Sequence, residues 1–223
     1  MTAAPTDTLA PHAIDVRYLD EALLVLDKPA GLLSVPGRGA DKQDCLAARV
    51  QARYPDALVV HRLDMDTSGL MLMARGTAAQ RALSKAFAAR AVSKRYIAVV
   101  AGTLSPPQDE WGTIDLPLIC DWSNRPRQVV DFANGKPSLT RWRVLAHDEA
   151  GVSTRVELEP VTGRSHQLRV HLAALGHPIL GDPLYAPPQA CAQAGRLLLH
   201  AWHLRIPHPL GGRELAFERP APF

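Results

Sequence analysis

The apolar runs of this chain are short, and turn residues stop them. Ala22-Leu23-Leu24-Val25-Leu26 ends at Asp27-Lys28-Pro29-Ala30-Gly31, where Pro withholds a ladder donor and Gly permits the turn. Ile97 to Ala101 has a similar length. Such runs cover about a quarter of the ~20 residues that a membrane helix needs, so they suit buried strands and exclude a bilayer span. Leu58 to His61 and Leu70 to Met73 read as strands on either side of a polar turn, Arg62 to Gly69. Further strands are expected at Tyr96 to Ala101, Val129 to Phe132, Leu139 to Ala146 and Val152 to Leu158, with a final hairpin of Leu197 to Ile206 and Glu214 to Phe217. The alternation of Val152, Thr154, Val156 and Leu158 with Ser153, Arg155 and Glu157 predicts a sheet with one wet face.

Three helices are expected between these strands. One is capped by Asp41 or Asp44 and runs to Tyr54 before Pro55. An Ala-rich one spans Thr77 to Ala91, with Leu83 and Phe87 on its inner face. The third runs from His166 to Leu175 and is closed by Gly176 and Pro178. Strand pairs mixed with few helices give an α+β class with a central mixed, largely antiparallel sheet flanked by helices and loops. Residues 1–13, rich in Ala, Thr and Pro, read as a flexible tail, and 14–223 read as a single domain without repeats. No Lys or Arg precedes Arg17 and no apolar h-region is present, which leaves the cytoplasm as the default compartment.

Composition narrows the chemistry only slightly. The 25 basic and 22 acidic residues leave a net charge of +3. Twenty of the basic residues are Arg and five are Lys. Arg suits phosphates and stacked bases, and the codon usage of a GC-rich genome explains the excess equally well. Cys45, Cys120 and Cys191 form no CxxC pair, so neither a disulfide framework nor a zinc ribbon is expected. Gly135-Lys136 lacks the upstream Gly of a phosphate loop, and no GxSxG or HExxH is present, so no metal is expected. Polar residues instead concentrate in two turns at strand ends, His61 to Gly69 and Thr162 to Arg169.

His61-Arg62-Leu63-Asp64 with Thr67-Ser68-Gly69 resembles the active-site signature of the RluA family of RNA pseudouridine synthases. Further blocks follow in the family's order: Leu26 to Leu32, Lys94-Arg95-Tyr96-Ile97-Ala98, Thr162 to His171, and Leu175 to Asp182. The matches extend from about residue 20 to residue 208. Leu116 to Trp122, followed by Asn124-Arg125-Pro126, is similar to a branch of the family that acts on two RNAs, a hairpin of 23S rRNA and the anticodon stem-loop of tRNA.

The resemblance implies the pseudouridine synthase fold, without the S4 RNA-binding domain of many relatives, and a monomer that isomerises uridine in RNA. It implies no cofactor, because the reaction has no net redox change, and no DNA or membrane partner. The family match makes Asp64 the catalytic carboxylate and Arg164 its cationic partner. An adjacent Arg can lower a carboxylate pKa by about 1–3 units, and the two turns are therefore expected to meet. By the same match Tyr96 lies beside the nucleophile and Leu168 presses the other face of the uracil. Arg62 fills the place of the flipped-out base, and His61 joins the substrate-binding set. Arg38, Arg125, Arg127 and Arg141 are candidates for contacts to the RNA backbone. A non-catalytic RNA-binding protein on the same scaffold is the alternative; a small-molecule glycosidase would need a second carboxylate, for which Asp66 is the near candidate.

Overall fold

The computed structural model describes residues 14–223; the tail expected at 1–13 lies outside the described residues. The strands are β1 (Asp15–Leu19), β2 (Leu23–Lys28), β3 (Ala57–Val59), β4 (Ser68–Arg75), β5 (Ser93–Ala101), β6 (Gly112–Asp115), β7 (Leu118–Cys120), β8 (Gln128–Val130), β9 (Leu139–His147), β10 (Ser153–Pro160), β11 (Leu199–Pro207) and β12 (Glu214–Glu218). The helices are α1 (Leu46–Arg53), α2 (Gly76–Ala88), α3 (Gln167–Ala174) and the short α4 (Pro188–Cys191). The main sheet runs β1-β2-β4-β11-β5-β10-β9-β6, with β3 on β4 and β12 on β11, while β7 and β8 form a separate hairpin. Its pairs are antiparallel except β4 with β11, which run parallel through Ser68–His200 and Gly69–Ala201. The α+β architecture read from the sequence is the one observed.

The apolar runs of β2 and β4 are continuous because both faces of these strands are covered. Leu24, Leu26, Met71 and Met73 enter one core, which also holds Tyr96, Leu158 and Leu168. Leu23, Val25, Leu70 and Leu72 enter the other, beneath Ala79 and Leu83 of α2. The strand pattern thus fixes a double-faced wall with the polar turn 60–67 at its end. Gly69 (φ 108°) seats that turn against β11, since a Cβ there would run into the Ala201 carbonyl.

Several local expectations are corrected. Helix α1 is capped by Cys45, whose Sγ accepts the Ala48 N–H at 3.4 Å, while Asp44 pairs with Arg49 at 2.6 Å. Helix α2 stops at Ala88 because the chain turns through a left-handed Arg90 (φ 57°). Between the strands expected to end at Ala101 and to resume at Val129, the chain also forms β6 and β7. The predicted wet face of β10 is roofed at Glu157, which is 1% exposed between Arg95 and Arg143, with Trp111 beneath the guanidinium groups. No helix among the described residues is long and apolar enough to cross a membrane.

Candidate active site

Asp64 lies in the turn between β3 and β4, and its neighbours on both sides are clamped. The Ser34 hydroxyl donates to the Leu63 carbonyl (2.6 Å) and accepts the Leu63 N–H (3.1 Å). On the other side the Met65 carbonyl accepts the Gly31 N–H at 3.0 Å and the Lys28 ammonium at 2.8 Å. Lys28 is fully buried and also donates to Pro29 and Leu32 carbonyls, both at 2.8 Å. Burial pulls its pKa down to about 7 against the opposing pull of Asp66 and Asp64. Three acceptors need three N–H hydrogens, so the cradle fits the charged ammonium. The turn closes on itself where the Thr67 N–H donates to the Asp64 carbonyl at 3.2 Å.

The second turn, 162–166, meets the first across a pocket of about 280 Å³. Asp64, Tyr96, Leu168, Arg62, His61 and Arg164 all line it, so the structure brings these six residues together. Tyr96 and Leu168 are held in the core, at 9% and 7% exposure. Burial, reinforced by Asp64, pushes the Tyr96 phenol well above its ordinary value, so it remains protonated. Asp66 lines a neighbouring cleft instead and shares no wall with Tyr96. A second carboxylate facing the first is therefore not supplied from that position.

The cation nearest Asp64 is Arg169 and not the Arg164 of the expected pairing. Arg169 Nη1 lies 3.7 Å from Asp64 Oδ2, and the same guanidinium grips Asp182 through Nε (2.8 Å) and Nη2 (2.6 Å). Arg164 is exposed at the pocket rim, and its Nε donates to the Pro137 carbonyl at 3.3 Å. The cause is local. His166 adopts a left-handed conformation (φ 54°), and α3 starts after it with Gln167 through Leu172 all buried. Arg169 is thereby turned inward, while Arg164 stays on the loop. Gln167 fixes that loop, accepting from Thr162 Oγ1 (2.7 Å) and the Arg164 N–H (3.0 Å) and donating to Leu139 O and Thr140 Oγ1, each at 3.0 Å.

His166 adds a polar contact that sequence reasoning missed. Tyr185 Oη accepts the Gln128 N–H at 2.8 Å, and burial raises its pKa to about 12, so its proton is free to go to His166 Nδ1 at 2.6 Å. That assigns the remaining hydrogen to Nε2, which faces Asp64 Oδ1 at 3.9 Å. Burial lowers the His166 pKa although Asp64 opposes the shift, so the ring is neutral near pH 7.

Comparison with known proteins gives the pocket its context. Residues 22–174 match the model of the RNA pseudouridylate synthase family. The chain belongs to that family. It is 51% identical to the dual-specificity RNA pseudouridine synthase RluA of Escherichia coli K12, over 93% of each chain. With the Yersinia pestis protein of the same name the identity is 53%, over 93% of this chain and 99% of that one. Among solved structures, human RNA pseudouridylate synthase domain containing 1 superposes with a TM-score of 0.79 at 31% identity, covering 98% of this chain and 87% of that one. The chain is an RNA pseudouridine synthase of the RluA family, with the fold of that family.

Within this synthase the other expected RNA contacts are dispersed. His61 lines the pocket, yet its Nε2 accepts the Leu72 N–H at 2.9 Å and its ring stacks on Phe87. This side-chain bond replaces the next ladder bond and ends β3 at Val59, before the expected His61. Burial and the nearby Lys94 pull the His61 pKa to about 3, which keeps the ring an acceptor. Arg62 is exposed at the pocket rim. Arg125 stacks on the 69% exposed Trp122, and Arg127 lies over Tyr185. Arg38 is exposed on a loop away from the pocket. Arg141 is half-exposed, pairs with Glu159 at 2.9 Å and lies over Trp111. Of the missed residues, Lys28 and Arg169 had one available signal, a charged group within an otherwise apolar strand or helix segment, whereas His166 and Asp182 lie outside strands and helices.

Proposed function

We propose that Asp64 is the carboxylate through which this synthase converts uridine to pseudouridine. The carrying observation is its place: a turn clamped on both sides, opening on a base-sized pocket shared with Tyr96 and Leu168. The target uridine leaves its stack, at a cost of a few kcal/mol, and Arg62 fills the gap. Uracil lies between the Tyr96 ring and Leu168. Asp64 acts on the nucleotide while the bond from C1′ to N1 breaks. The freed base turns, C5 bonds to C1′, the C5 proton departs and N1 gains a proton. Atoms and electrons balance, as an isomerisation requires. Arg169, anchored by Asp182, supplies the positive charge beside Asp64 that was expected of Arg164; Arg164 serves the RNA at the rim.

The name of its bacterial relatives, dual-specificity synthase, supports two substrates. We assign them as a 23S rRNA hairpin and the tRNA anticodon stem-loop, bound by a cytoplasmic monomer whose residues 14–223 act as one catalytic domain. The test uses stem-loop RNA tritiated at uridine C5. Wild-type protein releases the label and Asp64→Asn does not; release by Asp64→Asn at the wild-type rate would refute the role of Asp64.

A further inference from the structure

Beside the active-site pocket lies a second, larger cleft of about 750 Å³. The two share Phe87, Lys94, Gly163 and Arg164, so they are one continuous depression. The cleft is strongly cationic, since Arg90, Lys94, Arg164 and Arg205 all line it. Its one acidic residue among those lining it, Glu159, is already held by Arg141 at 2.9 Å. Arg205 has a distant partner in Glu214 at 3.7 Å, and both are exposed.

Lys94 stands at the junction and differs from the other cations near the site. Arg169 and Lys28 are buried and answered by a carboxylate or by carbonyls. Lys94 is half-buried, and among the described residues its ammonium has no acid and no hydrogen-bond acceptor; its contact is the Phe87 ring, 5.8 Å from the centroid. A charge withdrawn from water without a counter-charge is costly unless a ligand supplies one. The Gly163 N–H beside it also has no acceptor among the described residues. A cation beside a free amide supplies two elements of an oxyanion site.

We propose that this cleft carries the phosphodiester backbone of the RNA and that Lys94 grips the phosphate adjoining the target nucleotide. The inference rests on the reading that the neighbouring pocket takes the target uracil, because base and phosphate of one nucleotide are separated by a single ribose. Arg90, Arg164 and Arg205 continue the track for the following phosphates, where planar guanidinium groups bind oxygens in pairs. The depression of the Lys94 pKa by burial agrees with a charge that awaits its partner.

The test is a cycle between protein and RNA. Stem-loops are made with one neutral methylphosphonate linkage immediately 5′ or 3′ of the target uridine, and binding is measured for wild type and Lys94→Met. At one of the two linkages the neutral RNA should bind wild type about tenfold more weakly, and Lys94→Met should lose a similar factor on natural RNA, the size of one charge-assisted contact. Combining both should cost no more than either alone. Lys94→Arg, which keeps the charge, should stay within about threefold of wild type. The salt dependence of Lys94→Met binding should flatten by about one phosphate contact, a change in slope of about 0.7–0.9. Natural affinity in Lys94→Met, or losses that multiply at both linkages, would overturn the proposal. Release of C5 label by wild type is read on the same RNAs. Label release without the coupling sinks the backbone assignment alone, whereas coupling without label release supports it and refutes the reading of the pocket.

Discussion

The inner wall of the active site and the cleft outside it are both built from cations, but the cations are treated differently. On the inner wall Arg169 is 2% exposed and bidentate on Asp182, and Lys28 is fully buried with three carbonyl acceptors. Outside, Lys94, Arg90 and Arg164 have no carboxylate of their own among the described residues. Charges satisfied by the protein fix geometry; charges left unsatisfied at the rim keep their binding capacity for a polyanion. The boundary between the two runs between Arg169, turned inward on α3, and Arg164, left on the loop before it.

This contrast can be broken most directly at its centre. Asp64→Asn should reduce label release by about 10⁴-fold or more, the scale found when a reacting group is removed, with RNA binding retained. Next comes Arg169→Met, which strands Asp182 as a buried, unpaired charge and should cost about 3–5 kcal/mol of stability, read as a shifted denaturation midpoint. The pair Arg169→Met with Asp182→Asn, which removes the charge but keeps an acceptor for the Leu184 and Tyr185 N–H groups, should regain most of that stability while activity stays low. Recovery of activity along with stability would make Arg169 a scaffold residue only. Lys28→Met takes the ammonium from three carbonyls, of which that of Met65 keeps the Gly31 N–H, and should cost about 2–3 kcal/mol. Its turnover should fall more than its RNA affinity, because the Met65 carbonyl beside Asp64 loses one of its two tethers. An unchanged turnover would show that the clamp is not needed for placing Asp64.

The smallest effect belongs to a third kind of pair, near the surface at the sheet's far turn. His208 Nε2 lies 2.9 Å from Asp20 Oδ2. Its pKa is raised by the bond to the Leu210 carbonyl and then by Asp20, despite burial. Burial alone would raise the Asp20 pKa, but bonds from Tyr18, His208 and two backbone N–H groups outweigh it and bring it to about 2. The contribution of His208 is complete below its ordinary 6.5 and is lost as pH rises through its raised value. That of Asp20 is complete above 3.8 and is lost as pH falls toward 2. His208→Gln should therefore cost about 1 kcal/mol at pH 5.5 and clearly less at pH 9, as measured by urea unfolding. Equal losses at the two pH values would contradict the pairing.

The strands of the central wall were readable because their apolar runs are continuous and bounded by turn residues. The blocks carrying Asp64 and Tyr96 were readable because residue types at fixed spacing resemble those of a family. What stayed hidden depends on register and handedness. Glu157 sits at a wet position of its own strand, and only the pairing of β10 with β5 and β9 surrounds it with Arg95 and Arg143. Two arginines flank the second turn, and linear spacing cannot tell which faces Asp64 until the left-handed His166 rotates α3. Cys45 rather than Asp44 is the cap because it is the residue that holds the extended conformation just before the helix, while Asp44 reaches Arg49. Side-chain capping of a strand, as His61 does at Leu72, has no periodic signature at all.

The ammonium of Lys28 gathers three carbonyls as a crown ether gathers an ion. One of them belongs to the reactive turn, and the other two belong to the turn that follows β2. The two loops are therefore a single knot in mechanical terms: neither can swing open without breaking the bonds of the other. For an enzyme that must admit a bulky, folded nucleic acid, this places the moving parts elsewhere. On the proposed reading of Asp64, it is the RNA loop that rearranges to reach the carboxylate, against a turn that the protein holds in place.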